Sequence, residues 1–464
     1  MLIAPSATMP PDSLAAASLV RGRELRRQTP RRSHGVWTAP ADRIDPVDTV
    51  IASNEGRLAD LVPIRIGRMI ESPFAFYRGS AVVMAGDLAT TPTMGSTVQL
   101  CGDAHLANFG VFASPERPLV FDLNDFDETH PGPWEWDVKR LAASFVVASR
   151  ANGYGETTAR DMAELVGRAY RTWIRRYAGM RALDVWYAAI PIGGILERVE
   201  RARRRVALAT TVEAALEAAR RKDHMAALGK LSEPGPDGGW IIRDRPPLLR
   251  RIPADDPLRQ SVPDVYRDYV RSLAPNRRVL VEKHKLLDVA LKVVGVGSVG
   301  TRCYIALFRG PAGGPLFLQV KEARPSVLAP YVRGGRIRHQ GERVVNGQRI
   351  MQAVSDIFLG WTRASATGTD FYVRQLHDMK YGIDIAGLRP PGMELYAQVC
   401  AWALARAHAR SGNVAEIAGY LGPGEVFDRA LAGFGVTYAD QAERDHAALV
   451  AAVRAGRLPA ETGV

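Results

Sequence analysis

The spacing of apolar residues changes near residue 291. Before that point, apolar positions recur mostly with the helical period, as in 137–150 and 157–232, which predicts amphipathic helices. The segment 291–323 instead alternates apolar and polar residues and is divided by glycine turns, a pattern typical of strands. The helical period returns at 394–408. These patterns predict an α+β protein in which a small β-rich lobe joins a larger helical lobe.

A second strand pattern lies inside the first helical part. Residues 98–103 predict a strand, and residues 108–113 and 118–123 predict a hairpin. The segment 233–262 is rich in glycine, proline and aspartate, which is typical of a linker or insertion. The predicted parts are a basic, mostly irregular arm (1–60), the first part of the helical lobe (61–290) with a helical insertion near 157–262, the β-rich lobe (291–385), and C-terminal helices that complete the helical lobe (386–464).

Composition narrows the functional classes. The formal net charge is +12, but only eight of the basic residues are lysines, and alanine is abundant. That bias is typical of GC-rich coding, so the charge is weak support for nucleic-acid binding, which we do not expect. The arginine run at 198–205 is interpreted as a solvated helix face. Three widely spaced cysteines argue against a disulfide framework or a zinc cluster. With no apolar stretch long enough to span a bilayer, we expect a cytoplasmic protein that does not bind membranes.

Asp103 and Asn108 form the first candidate pair. Asp103 ends the predicted strand segment 98–103 and Asn108 lies five residues beyond it, in the order Gly-Asp-x-His-x-x-Asn. In the catalytic loop of the kinase superfamily, an aspartate in this position accepts a proton from the attacking hydroxyl, and an asparagine five positions later holds a metal ion. This spacing predicts Asp103 as the base and Asn108 as a metal ligand. The form with His105 resembles that of aminoglycoside and choline kinases.

The densest acidic cluster in the chain, 122–128, follows at the end of the predicted hairpin. Mg²⁺ requires oxygen ligands, and the kinase metal aspartate lies at this point after the asparagine. Asp122 is the expected metal ligand, with Asp125 as the rival that could reach the same point from the next turn. Farther on, Asp137 either braces the catalytic loop or caps a helix.

A glycine-rich stretch provides the third candidate. Gly295, Gly297 and Gly300 form the pattern Gly-x-Gly-x-x-Gly, with Ser298 between them and Lys321 farther on. A P-loop would need Lys and then Ser or Thr after the last glycine, and a dinucleotide-binding fold would need a helix there. The segments that follow instead predict strand, turn and strand. Glycines on a hairpin with a lysine on the next strand match the nucleotide-binding lobe of kinases.

The chain also resembles, over about residues 20–440, the bacterial family called domain of unknown function 2252. The similar blocks are RMIESPFAFYRGSA, VQLCGDAHLANFG, FDLNDFDET, GPWEWDVKRLA, DVALKVVGVGSVGTRCY, RVVNGQRIMQ and YVRQLHDMK. Relative to ordinary kinases, the motif order is circularly permuted, because the glycine loop and lysine follow the catalytic loop. The helix ending at 404–412 resembles the one that normally leads into that loop. Glu342 or Gln348 is expected to pair with Lys321, and Glu342 is counted with the nucleotide-binding residues.

These patterns together predict a two-lobed, protein-kinase-like fold and a phosphotransferase that uses ATP and Mg²⁺. Asp103 and Lys321 would be catalytic, and the acceptor would be a hydroxyl of an unknown small molecule. The strand at 372–376 would provide backbone contacts to adenine. Two alternatives remain open: a nucleotide-binding pseudokinase scaffold, and an enzyme that transfers AMP from the same site.

Overall fold

The computed structural model describes residues 14–195, 217, 224–236, 239–253, 255–334, 337–376 and 381–464. The predicted arginine-rich helix face at 198–205 lies outside these residues. Within the described part, long helices and several sheets form an α+β structure, as predicted. No described helix combines the length and the apolar character needed to cross a membrane.

Four long helices form the centre of the helical lobe. The helices of the described chain are α1 (Leu14–Gln28), α2 (Pro46–Ala52), α3 (Val62–Ile70), α4 (Pro73–Gly79), α5 (Ala81–Ala89), α6 (Trp134–Ala151), α7 (Glu156–Ala178), α8 (Ala182–Tyr187), α9 (His224–Leu231), α10 (Pro257–Ser272), α11 (Pro275–Val281), α12 (Gln340–Met351), α13 (Pro390–Ser411), α14 (Val414–Leu421) and α15 (Val426–Arg454). Helices α6, α7, α13 and α15 pack together. Trp134 of α6 stacks on Tyr170 of α7 in their shared core. Because α6 and α7 precede the β-rich lobe in the chain and α13 and α15 follow it, segments from both sides of that lobe form the helical lobe.

The strands separate into one large sheet and smaller ones. They are β1 (Thr97–Leu100), β2 (Phe109–Ala113), β3 (Leu119–Leu123), β4 (His130–Pro133), β5 (Ser232–Pro234), β6 (Trp240–Ile242), β7 (Leu249–Arg251), β8 (Lys285–Lys292), β9 (Cys303–Arg309), β10 (Pro315–Glu322), β11 (Gly360–Ala364), β12 (Thr369–Gln375) and β13 (Tyr381–Gly382). The large sheet is antiparallel in the order β11-β12-β10-β9-β8-β7. The predicted hairpin is confirmed as β2 and β3, and β13 pairs with β2.

Side chains alternate between the two faces of the large sheet, as the pleat requires. Leu318 and Val373 pack in an apolar cluster with Tyr269 of α10 on one face. Gln319 and Lys321 of β10 project from the other face and line a cleft. The period-two pattern of the sequence therefore directs its polar positions on β10 toward the helical lobe.

Two predicted segments differ from the structure. The arm, expected to be mostly irregular, contains α1 and α2 in its described residues. It also packs on the helical lobe, because α1 contacts α14 and the buried His34 contacts the Tyr420 hydroxyl at 2.6 Å. The predicted insertion near 157–262 is not one unit. Helix α7 belongs to the helical core, whereas β7 and α10 belong to the β-rich lobe. Sequence periodicity identified helices here but not the lobe in which each one packs.

Candidate active site

A cleft of about 420 Å³ lies between the large sheet and the loops that follow β1 and β3. This volume is within the range of small-ligand sites. The predicted site residues that line it are Asp103, Asn108, Asp125, Gly295, Gly297, Ser298 and Lys321. Lys321 and Asp125, which are 196 positions apart in the chain, are in contact here. The three sequence motifs therefore converge on one cleft.

The glycine loop connects β8 to β9, which form an antiparallel hairpin. After the glycines come β9, a short turn and β10, which pair antiparallel, so the predicted strand–turn–strand arrangement is confirmed and no long helix follows the glycines. Gly295 and Gly297 line the cleft, and a side-chain carbon at Gly295 would meet nothing within 4 Å. Gly300 does not line the cleft. It has a φ of +85°, and its carbonyl accepts the Leu58 N–H at 2.7 Å, so Gly300 shapes the turn.

Lys321 is buried at the centre of the sheet's cleft face. Its Nζ lies 3.1 Å from Asp125 Oδ2 and also pairs with Asp127. Burial lowers the pKa of Lys321, but the two aspartates outweigh it and hold the pKa well above its usual value. The hydroxyls of Tyr372 and Ser298 donate to Asp127, at 2.7 and 3.3 Å. Lys321, the glycine loop and residues 125–128, which we call the acidic turn, thus form one connected polar group.

Asp103 is held by an arginine that sequence analysis did not identify. Arg140, buried on α6, donates from Nε to Asp103 Oδ1 at 2.6 Å. The other oxygen, Oδ2, lies 3.7 Å from His105 Nε2. Burial lowers the pKa of His105 to about 4, so the imidazole is neutral at pH 7. The carboxylate is therefore fixed through one oxygen, while its side chain remains 23% exposed.

The loop that carries Asp103 is held by hydrogen bonds to Asp137, a residue of α6. Asp137 accepts the N–H groups of Cys101 and Gly102 at 2.7 and 3.0 Å, and His408 Nε2 lies 3.2 Å from the same carboxylate. Gly102 has a φ of +82°, a conformation that glycine adopts without strain. Of the two hypotheses for Asp137, loop bracing is therefore the one that the contacts support.

Asn108 lines the cleft, but its side-chain amide forms hydrogen bonds with backbone groups of Asp103 and Asp125. Its Oδ1 accepts the Asp125 N–H at 2.8 Å, and its Nδ2 donates to the carbonyls of Asp103 and Asp125 at 3.1 and 3.0 Å. The side chain thus links the loop that carries Asp103 to the acidic turn. This geometry does not support the prediction that Asn108 is a metal ligand.

Asp122, the expected main metal ligand, does not line the cleft. Asp122 lies on β3, is buried, and pairs with Arg406 of α13 at 2.6 Å. It also accepts the N–H of Leu123 at 2.9 Å. Burial raises the pKa of Asp122, and Arg406 opposes that shift. Because this strand position faces the helical core, the carboxylate does not line the cleft, whereas the rival Asp125 does.

The expected pairing of Lys321 with Glu342 or Gln348 is not found. Both residues lie on α12, and within the described part of the chain neither of them contacts the lysine. The Glu342 N–H bonds to the His339 ring at 3.2 Å, and the buried Gln348 amide donates to Gln352 at 2.9 Å. The acidic turn itself provides the counter-charge for Lys321 instead.

Comparison with known proteins gives one match. The family model described as "uncharacterized protein conserved in bacteria (DUF2252)" matches residues 57–452. The chain belongs to the DUF2252 family. No curated protein and no solved structure matches it.

Several cleft residues of this DUF2252 chain were not identified individually by sequence reasoning. Asp127 and Glu128 lie in the acidic cluster that was recognised, but neither was selected. Burial raises the pKa of Asp127, an effect that Asp125 reinforces and Lys321 opposes. Burial also raises the pKa of Glu128, to about 7. The Asp-Phe-Asp spacing was the available signal, since it places a second carboxylate two residues after Asp125 in the same turn.

Asp125 and Asp127 are the residues of this DUF2252 cleft that could hold a metal ion. Asp125 and Asp127 bring two carboxylates to the same ammonium group. Mg²⁺ is commonly held by one or two carboxylates together with substrate phosphates. Among the described residues, no group of three or more His, Cys, Asp or Glu side chains is arranged to hold a metal. A two-carboxylate site that is completed by phosphates is therefore the kind that this cleft could form.

Proposed function

We propose that the cleft binds Mg-ATP and transfers a phosphoryl group to a hydroxyl acceptor, in a circularly permuted kinase-like fold. The observation that carries this proposal is the convergence of the glycine loop, Lys321, Asp125 and Asp103 on one cleft. A strongly basic lysine, two carboxylates and a separately fixed carboxylate are the groups that phosphoryl transfer uses for positioning and charge stabilisation.

The phosphate side of the cleft would be formed by the β-rich lobe. The open backbone at Gly295 and Gly297 would face phosphate oxygens, and Lys321 would contact them as a point charge. Asp125 and Asp127 would hold Mg²⁺, which offsets the phosphate charge when bound. When Mg-ATP binds, the metal would pair with Asp125 and Asp127 and the phosphates with Lys321. These three side chains would then no longer have to neutralise one another.

The acceptor side would be organised by Asp103. Arg140 holds Oδ1, which leaves Oδ2 to accept the proton of an acceptor hydroxyl. The neutral His105 beside Oδ2 adds a polar neighbour without a competing positive charge. Arg140 is thus a positioning residue, and Asp103 is the proposed base.

The permutation is supported by the order of elements and by one contact. After the glycine hairpin β8–β9 come the lysine strand β10, helix α12 and strands β11 and β12, in the order of a kinase small lobe. The Gln99 N–H of β1 donates to the Ser411 hydroxyl at the end of α13 at 2.9 Å. The helix that would precede the catalytic loop in an unpermuted chain therefore ends beside the strand that leads into it.

Asp103→Asn tests the proposal with little risk to the fold, because asparagine can still accept a hydrogen bond from Arg140. We expect turnover to fall by about 10²-fold or more, the scale for losing a positioned base, while the ATP dissociation constant stays within a few-fold. Product formation from labelled ATP across candidate hydroxyl acceptors, followed by mass spectrometry, measures the first quantity. Asp264→Asn, at an exposed position on α10, is the matched control. Equal turnover in wild type and Asp103→Asn would contradict the proposal.

A further inference from the structure

Three arginines line the part of the cleft beside the glycine loop and Asp103: Arg57, Arg65 and Arg78. We call them the arginine pocket. They come from the segment that precedes the catalytic loop, including the block RMIESPFAFYRGSA, to which the proposed chemistry gives no role. Within the described chain, none of the three forms an ion pair with a carboxylate.

Their partners are neutral groups. Arg57 donates to the carbonyls of Val299 and Ser53, at 2.6 and 3.0 Å. Arg65, only 1% exposed, donates to the Asn54 side chain at 2.6 Å and to the Gly79 carbonyl at 3.0 Å. Its Nε is buried and has no hydrogen-bond partner.

Arg78 is the member closest to the proposed chemistry. Its Nε is also buried without a hydrogen-bond partner. Burial lowers the pKa of Arg78, and the charge of Asp103 gives the largest opposing effect. On the other side, a side-chain carbon at Gly297 would meet the Arg78 carbonyl at 3.5 Å. Arg78 therefore lies between the glycine loop and the proposed base.

Such an arrangement is costly without an anion. Burying a cation without a paired carboxylate is unfavourable. Burial lowers the pKa of Arg57 and Arg65 as well, and the more distant Glu128 and Glu322 offset this only in part at Arg57. Guanidinium groups present planar forks of donors that match phosphate oxygens. Three of them around one space suit a dianion better than a single carboxylate.

We propose that the arginine pocket binds a phosphate group already carried by the acceptor, so that the substrate is a phosphorylated small-molecule alcohol. This inference rests on the proposed phosphotransferase function. An acceptor hydroxyl must reach Asp103, and Arg78 is the pocket residue beside that carboxylate. The nucleotide phosphates, in contrast, would lie against Lys321 and the acidic turn. A phosphate in the arginine pocket would orient the acceptor and bring its hydroxyl to Oδ2.

The experiment uses the full chain saturated with Mg²⁺ and a non-hydrolysable ATP analogue. Inorganic phosphate, glycerol 3-phosphate and glycerol are then titrated by calorimetry. Inorganic phosphate and glycerol 3-phosphate should both bind to the protein that already holds the nucleotide, whereas glycerol should not bind. Arg78→Gln and Arg57→Gln should each weaken the phosphate probes about tenfold or more, since each removes a charge-assisted contact. Arg267→Gln, at an exposed position, should leave phosphate binding unchanged.

The nucleotide affinity of Arg78→Gln is measured in parallel and should stay within about threefold of wild type. Competition between phosphate and nucleotide, or a larger loss for nucleotide than for phosphate, would assign the arginines to the nucleotide and overturn the acceptor proposal. Nucleotide binding without phosphate binding would overturn the acceptor proposal alone. Phosphate binding without any nucleotide binding would instead overturn the proposed function, and the acceptor role with it.

Discussion

Two aspartates of the same acidic segment, three positions apart, have opposite surroundings. Asp122 is 2% exposed and pairs with the fully buried Arg406 of α13. Asp125 lines the cleft and meets Lys321 of β10. The first ion pair joins a strand to the helical core, and the second joins the two walls of the candidate site. Similar chemistry therefore serves packing in one place and, in the proposed function, ligand binding in the other.

The direction of the strand accounts for the difference. Asp122 lies within β3, opposite Gly110 of β2, so the pleat fixes the face from which it projects. Asp125 follows the end of the strand, where the chain turns and Asn108 bonds to its backbone. Spacing along a motif does not specify this direction, which depends on where the strand ends.

The largest effect is expected from Asp122→Asn. This change leaves Arg406 buried without a counter-charge, and breaking a buried pair in this way costs about 3–5 kcal/mol. Denaturant unfolding should show that loss, while the folded protein retains its Mg-dependent nucleotide binding. Adding Arg406→Met should recover part of the stability, because no unpaired charge then remains. A loss of magnesium response without a loss of stability would place Asp122 in the site after all.

Asp125→Asn should have the converse effect. Folding stability should change little, since Asp125 is partly exposed and Lys321 keeps Asp127 as a partner. The additional stabilisation that Mg²⁺ gives with ATP should disappear; at 100 times the dissociation constant, bound ligand is worth about 2.7 kcal/mol. Thermal unfolding with ATP, with and without Mg²⁺, measures this change, and Asp264→Asn is the control. An unchanged magnesium response would argue against the acidic turn as the metal site.

Much of the site could be predicted from the sequence because its motifs are local. Asp103 follows a strand, the glycines lie on a hairpin, and Lys321 lies on the next strand; each position follows from spacing and period. The choice between Asp122 and Asp125, the partner of Lys321, and the role of Arg140 depend on how distant elements pack. For the same reason, the sequence predicted an α+β fold but assigned α7, β7 and only the start of α10 to one insertion.

A smaller effect is expected at Glu128, a third acidic residue of the cleft. Its carboxylate accepts the Val327 N–H at 2.7 Å, and burial raises its pKa from 4.5 to about 7. A raised carboxyl pKa contributes stability that is full below pH 4.5 and is lost as the pH rises through about 7. Glu128→Gln should remove this dependence, about 1 kcal/mol between pH 5 and pH 8 after solvent screening. Parallel stability–pH curves for the two proteins would contradict the assignment.

The central claim is that Lys321 and the acidic turn form a nucleotide site across the cleft. Calorimetric titration of Mg-ATP into wild type, Lys321→Met and Lys285→Met tests it most directly. Lys285 is an exposed lysine on the same sheet and serves as the matched control. We expect wild type and Lys285→Met to bind with equal affinity and Lys321→Met to bind about tenfold or more weakly, because a buried charge-assisted phosphate contact is lost. No Mg-ATP binding by wild type, or equal binding by all three proteins, would contradict the account.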